Sequence, residues 1–108
     1  MKTLRLMADY GCFPLWITGS SGLKNINSDD LLLDNVLSAE IAEWSEIYAG
    51  TFDPKNPIGS GFRSLESEQD FVSLGYTIET QLAKKLEGIY KINYFDCLLQ
   101  KYIEISSE

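Results

Sequence analysis

Residues Thr3-Leu4-Arg5-Leu6-Met7-Ala8 alternate, with Leu4, Leu6 and Ala8 on one face and Thr3, Arg5 and Met7 on the other. A period of two is that of a half-buried β-strand. A strand so near the start of the sequence must find its partners downstream. The best match is Ile89–Phe95, where Tyr90, Ile92 and Tyr94 share a face. Two helical patterns lie between, so the reading is α/β, with α+β as the alternative. It is a small sheet with N-terminal and C-terminal strands as neighbours and two main helices packed on it. Residues 1–108 read as a single domain. Parallel neighbours would be joined by a right-handed crossover. Asp9, Tyr10 and Asp96 would then share the sheet edge where open α/β sheets place binding groups.

The first helix is expected over residues 38–51. Leu37, Ile41, Trp44 and Tyr48 form its apolar stripe, with Trp44 in the core. Gly50 and Asp53-Pro54 end it. The second is expected over 66–86, on Phe71, Leu74, Ile78, Leu82 and Leu86. Its N-terminal box reads as Ser67 with Asp70, with Ser64 as the other N-cap. Acids at its start and Lys84-Lys85 at its end complement the helix dipole. Gly75 weakens it by about 1 kcal/mol relative to Ala, in exchange for a close approach to the sheet. Residues 17–22 read as a flexible turn, and Ser28 as the N-cap of a short helical turn holding Asp29 and Asp30. Gly59-Ser60-Gly61 lacks the flanking pattern of a phosphate loop and reads as a turn that aims Phe62 at the core. Residues 97–108 read as either an edge strand or a frayed tail.

Charge narrows the function classes. The chain carries 16 acids against 9 cations and no histidine. Asp29, Asp30, Asp34, Glu40, Glu43, Glu46, Asp53, Glu66, Glu68 and Asp70 all fall in the middle, against only Lys55 and Arg63. Such a surface disfavours nucleic acid as a direct ligand and suits a basic partner. The lack of histidine lowers the prior for hydrolytic or metal chemistry. Cys12 and Cys97 form no metal or disulfide motif and are expected as free thiols. No run is long and apolar enough to span a membrane, and the N-terminus is a poor signal peptide, so the expected location is cytoplasmic.

A set of motifs carries a family resemblance. They are Met7-Ala8-Asp9-Tyr10-x-Cys12-x-Pro14-Leu15-Trp16, Asn25-Ile26, Trp44 with Tyr48, Pro57-x-x-Ser60-Gly61-Phe62, and Tyr94-Phe95-Asp96. Over about residues 1–96 the chain resembles small immunity proteins of bacterial contact-dependent growth inhibition and related polymorphic toxin systems. It departs from the pattern at Ile17–Lys24, where partner specificity would vary. The resemblance implies a cytosolic inhibitor, without catalysis, cofactor or metal. Its partner would be the C-terminal toxin domain of a delivered effector, here a ribonuclease, including those of pancreatic-ribonuclease-like fold. Asp29, Asp30, Asp34, Glu66, Glu68 and Asp70 are then the charge contacts. Asp9, Tyr10, Trp16 and Phe62 are the candidate anchors or edge contacts, with core packing the favoured alternative for Trp16 and Phe62. Two alternatives stand beside this: a small enzyme using Asp9 and Asp96 as a carboxylate pair, and an acidic adaptor for another basic protein.

Overall fold

The computed structural model describes residues 2–31 and 33–104. The strands are β1 (Lys2–Leu6), β2 (Leu15–Gly19), β3 (Gly22–Ile26), β4 (Tyr90–Asp96) and β5 (Lys101–Glu104). The helices are α1 (Asn35–Ala49) and α2 (Leu65–Lys85), with 3-10 turns at Ser28–Asp30 and Pro57–Gly59. The five strands form one sheet in the order β3-β2-β1-β4-β5. β1 is its central strand, parallel to β4, and the other pairings are antiparallel. The mixed sheet with two main helices is the expected α/β arrangement.

Register explains the core. Leu4 stands beside Ile92 and Ile17, and Leu6 beside Tyr94 and Leu15. Residues paired across a sheet share a face, so these side chains form one apolar surface. Leu37, Ile41 and Trp44 of α1 and Phe71, Ile78 and Leu82 of α2 close over it in a single cluster. Trp44 is 0% exposed, and its indole lies 4.6 Å from the Phe71 ring, stacked at 4°. Its N–H donates to the Phe71 carbonyl at 3.0 Å, so the polar edge of the ring is satisfied as well as buried.

Several local expectations are corrected. Residues 15–26 are a β-hairpin, with Gly19 opposite Gly22 and Ser20-Ser21 as the turn. The glycines and serines make a tight reversal, and Leu15-Trp16-Ile17-Thr18 is strand-forming sequence on one side of it. Asn27, not Ser28, caps the 3-10 turn, its side chain accepting from Asp29 N–H at 3.1 Å. Helix α1 starts at Asn35 rather than 38, because Asp34 accepts from Leu37 N–H at 2.8 Å. For α2 the capping pair is Ser64 with Ser67, so Ser67 serves at N3 and Asp70 lies outside the box. Lys101–Glu104 pairs with β4, which makes that part of the tail an edge strand, while 105–108 lie outside the described residues.

Gly75 does what its cost suggests. A Cβ there would overlap the phenol ring of Tyr94, whose hydroxyl donates to the Val72 carbonyl at 3.2 Å. One turn further along the same buried face is Glu79, 0% exposed and with no hydrogen-bond partner on either carboxylate oxygen. Burial pushes its pKa up to about 8, against an ordinary value of 4.5. The carboxyl therefore stays protonated beside Tyr76 and Tyr94, whose phenols burial also raises.

Two outcomes follow. Helix propensity alone would make Gly75→Ala stabilising by about 1 kcal/mol, whereas the collision with Tyr94 makes it destabilising by about 1–3 kcal/mol. Denaturant unfolding decides between them, and a gain in stability contradicts the packing. Between pH 4.5 and about 8 the folded protein keeps the Glu79 proton and the unfolded chain releases it. Stability therefore falls as pH rises through that window, by about 1 kcal/mol per unit, and levels off above it. Glu79→Gln removes this slope, and an unchanged slope in the variant contradicts the assignment.

Candidate functional site

Where β1 ends, the chain turns over the C-terminal end of α1. Gly11 takes φ +72°, and Tyr10 N–H donates to the Asp9 carboxylate at 2.8 Å. The turn delivers the Tyr10 ring to Tyr48 and Phe52, with centroids at 4.8 and 5.1 Å. Thr51 Oγ1 donates to the Tyr48 carbonyl at 2.7 Å, so the 2.5 Å bond between Tyr10 and Thr51 has the phenol as donor. Asn25 fastens the rest of the loop. Its Oδ1 accepts from Phe13 N–H at 3.0 Å, and its Nδ2 donates to the Phe13 and Leu15 carbonyls at 2.6 and 3.0 Å.

On the other side of the α1 end, the segment 52–64 is equally tied down. Ser60 Oγ accepts from Asp53 N–H at 2.8 Å, and Gly61 N–H donates to the Thr51 carbonyl at 3.2 Å. Phe62 is thereby turned inward, 5.1 Å from Phe71 and 6.3 Å from Tyr48, as the sequence suggested. The motif residues Asn25, Ser60 and Gly61 thus build two fixed walls.

Between and beside these walls are three depressions that share Glu46. The largest, about 650 Å³, lies between α1 and the 52–64 segment, with Phe52, Asp53, Phe62 and Arg63 on its sides. Two smaller ones, of about 300 and 340 Å³, lie between α1 and the 9–14 loop, one against Ser28 and the other against Asp9. Phe52 and Phe62 give the largest recess an apolar part, and Glu46, Asp53 and Asp9 put carboxylates on the linings.

The sequence-derived residues divide over this surface. Asp9, exposed, and Tyr10, half-buried, stand at the 9–14 wall, and Phe62, half-buried, stands in the opposite one. Asp29 and Asp30 are exposed beside the smallest depression, with Asp30 Oδ2 accepting from Asn27 N–H at 3.2 Å. Glu66, Glu68 and Asp70 lie in the first turns of α2, just beyond Ser64 and Ser67 of the largest depression. Glu68 also accepts from the Cys97 thiol at 3.7 Å, and burial pushes that thiol up to about 11. Both cysteines are free.

Two residues lie apart. Asp34 caps the far end of α1, about 22 Å away along a helix of this length. The Leu37 N–H and then Lys85, whose Nζ is 2.9 Å away, hold its carboxyl below the usual carboxylate range. Trp16 belongs to β2 and faces away from the helices, its indole N–H donating to the Met7 carbonyl at 3.0 Å. There it joins Arg5, Phe95 and Tyr102 on the uncovered sheet face, where the Arg5 guanidinium sits 3.9 Å over the Tyr102 ring.

Glu46 and Asp53 are the rim acids that sequence reasoning left out. Their signal was available: Glu46 adjoins the apolar stripe two residues before Tyr48, and Asp53 precedes Pro54. Of the Asp9–Asp96 pair weighed from the sequence, Asp9 is exposed and Asp96 is not. Asp96 is 3% exposed and is occupied by the Tyr76 hydroxyl and the Leu98 and Leu99 N–H groups, at 2.5, 2.9 and 3.0 Å. Burial and this bond push the Tyr76 phenol up to about 12. Among the described residues no three His, Cys, Asp or Glu side chains are grouped to hold a metal, and no helix is long and apolar enough to cross a membrane.

A family model described as Serratia CdiI immunity protein-like matches residues 2–97, from the first residue of β1 to the one after β4. No curated protein matches the chain. The match covers both walls and all three depressions, so the loop clamps can be tested as parts of the site. Asn25→Ala is expected to cost about 0.5–1.5 kcal/mol, because it removes two exposed bonds to the Phe13 backbone and the part-buried one to the Leu15 carbonyl. Amide exchange at Phe13 should accelerate while that of β4 stays slow. Unchanged exchange at Phe13 would show that Asn25 does not hold the loop.

Proposed function

The chain belongs to the Serratia CdiI immunity protein-like family, and on that premise we propose that it neutralises a ribonuclease toxin of a contact-dependent growth inhibition effector. It acts in the cytosol by holding an acidic surface against the toxin's cationic cleft, with carboxylates standing where RNA phosphates would bind. It carries no catalysis of its own.

The observation that supports this reading is the state of the acids. Of the ten in residues 29–70, only Asp34 has an ion-pair partner among the described residues. Charges left without internal partners repel one another and destabilise a compact fold slightly. They are useful when a partner supplies the opposite sign. Complementary charge speeds encounter toward roughly 10⁸ M⁻¹s⁻¹ at low salt. An inhibitor needs that speed, because it must reach the toxin before RNA is cut. Asp29, Asp30, Glu66, Glu68 and Asp70 supply the long-range attraction, with Asp9 at the rim. Tyr10 and Phe62 shape the surface, and their burial would slow dissociation. Asp34 contributes to the field while bound to Lys85, and Trp16, turned to the open sheet face, lies outside the proposed contact.

The test pairs this chain with the basic domain encoded immediately upstream. Reversing Asp29, Asp30, Glu66, Glu68 and Asp70 to lysine is expected to slow association by about 10- to 100-fold and to flatten its salt dependence. Circular dichroism confirms that the variant is folded. Unchanged affinity at physiological ionic strength contradicts the acidic-surface mechanism. If the unmodified chain neither binds that domain at low salt nor protects cells from it, the immunity reading fails.

A further inference from the structure

We propose that the largest depression, between the C-terminal end of α1 and the 52–64 segment, is an anchor site for one bulky apolar side chain of the toxin flanked by a lysine or arginine. This rests on the function proposed above and assigns a specific contact within it.

The groove leaves two large apolar side chains facing solvent. Ile47 and Phe52 are 46% and 45% exposed and both line it. Ile47 lies off the buried stripe of α1, which runs through Leu37, Ile41 and Trp44. Phe52 rests one side of its ring on Tyr10 and offers the rest to solvent. Phe62 backs the groove from the core side. A patch of this kind, apolar within and polar around, is the form of a protein–protein anchor site.

The rim selects the partner. The Glu46 carboxylate makes no hydrogen bond or ion pair among the described residues, and the Asp53 carboxylate engages only the Lys55 N–H through Oδ1, at 2.9 Å. Arg63 is the one cation on the lining. Glu43, one helical turn before Glu46, adds negative charge on the same side of α1. An apolar side chain with a neighbouring lysine or arginine would fill the recess and pair with Glu46 or Asp53. A neutral or acidic neighbour would leave those carboxylates partly desolvated and unpaired. The walls are already fixed by the Ser60, Gly61 and Tyr10 hydrogen bonds, so little ordering accompanies binding.

Two experiments test this. The first titrates the isotope-labelled full chain with N-acetyl-Lys-Trp-Arg-amide and, as a control, N-acetyl-Glu-Trp-Glu-amide. The cationic peptide should shift the amides of Ile47, Gly50, Phe52 and Gly61, and the acidic one should not. Equal shifts from both, or shifts confined to other surfaces, overturn the proposal. The second measures dissociation from the upstream-encoded toxin domain. Ile47→Ala with Phe52→Ala should speed it about tenfold or more with little change in salt dependence. Glu46→Arg, at an exposed position without internal partners, serves as the second variant and should weaken binding by a similar factor. Val36→Ala, 69% exposed at the other end of α1, should have no effect. If the groove variants dissociate like the unmodified chain, the groove is not the anchor, although the immunity reading survives. If the unmodified chain does not bind the domain, both fail. A homodimer that buries Phe52 would also overturn it.

Discussion

Helix α2 can lie across the parallel β1–β4 pair only because Gly75 leaves room for the Tyr94 ring. That approach sets the spacing of the whole helical layer. It brings Phe71 under Trp44 for a stacked contact and puts Val72 within reach of the Tyr94 hydroxyl. Trp44 in turn fixes α1, whose C-terminal end carries Glu46 and meets the 9–14 and 52–64 loops. A shift of α2 away from the sheet would loosen this chain of contacts step by step. Close-packed interiors pass such strain on instead of absorbing it. The placement of the proposed binding surface is therefore a consequence of packing at one glycine.

The two sides of the molecule differ in charge for the same reason. Both helices cover one face of the sheet, so the acid-rich middle of the chain is confined to the helical layer and its loops. The other face has Arg5 and Phe95 each packed on Tyr102, with Lys91 paired to Glu104 at 3.5 Å. A cationic partner approaching in solution would feel the helical side first. In the proposed mechanism encounter and anchoring fall to neighbouring groups: unpaired carboxylates attract from a distance, and half-exposed Ile47 and Phe52 act on contact.

Much of the architecture was legible before any coordinates. Alternation in Thr3–Ala8 and Ile89–Phe95 identified the central parallel pair, and the spacing of Leu37, Ile41 and Trp44 identified the buried face of α1. Gly75 and the inward turn of Phe62 were read for the right physical reason. The hairpin at Leu15–Ile26 was not read, because Gly19-Ser20-Ser21-Gly22 signals flexibility as much as a tight reversal, and Gly22-Leu23-Lys24-Asn25 has little strand character. Without the hairpin the side to which Trp16 points is not readable; the strand's period turns it to the opposite sheet face from Leu15. Glu79 was unreadable for another reason. A carboxylate on a helix is normally a solvated group, and only the arrangement of Gly75, Ile78 and Leu82 around it makes the position internal. The site was half legible. Single acids could be named, but their grouping around Glu46 depends on loops that only the fold brings together.

The central claim is that the toxin meets the helical side and not the open sheet. Hydroxyl-radical footprinting of the free chain and of its complex with the upstream-encoded domain tests it directly. Phe13, Phe52 and Tyr102 are 49%, 45% and 46% exposed in the free protein, so they begin nearly equal. Phe13 and Phe52 lie on the acidic side and Tyr102 on the sheet face. The account predicts that oxidation of Phe13 and Phe52 falls in the complex while that of Tyr102 does not change. Protection of Tyr102, with Phe13 and Phe52 oxidised as before, would contradict it.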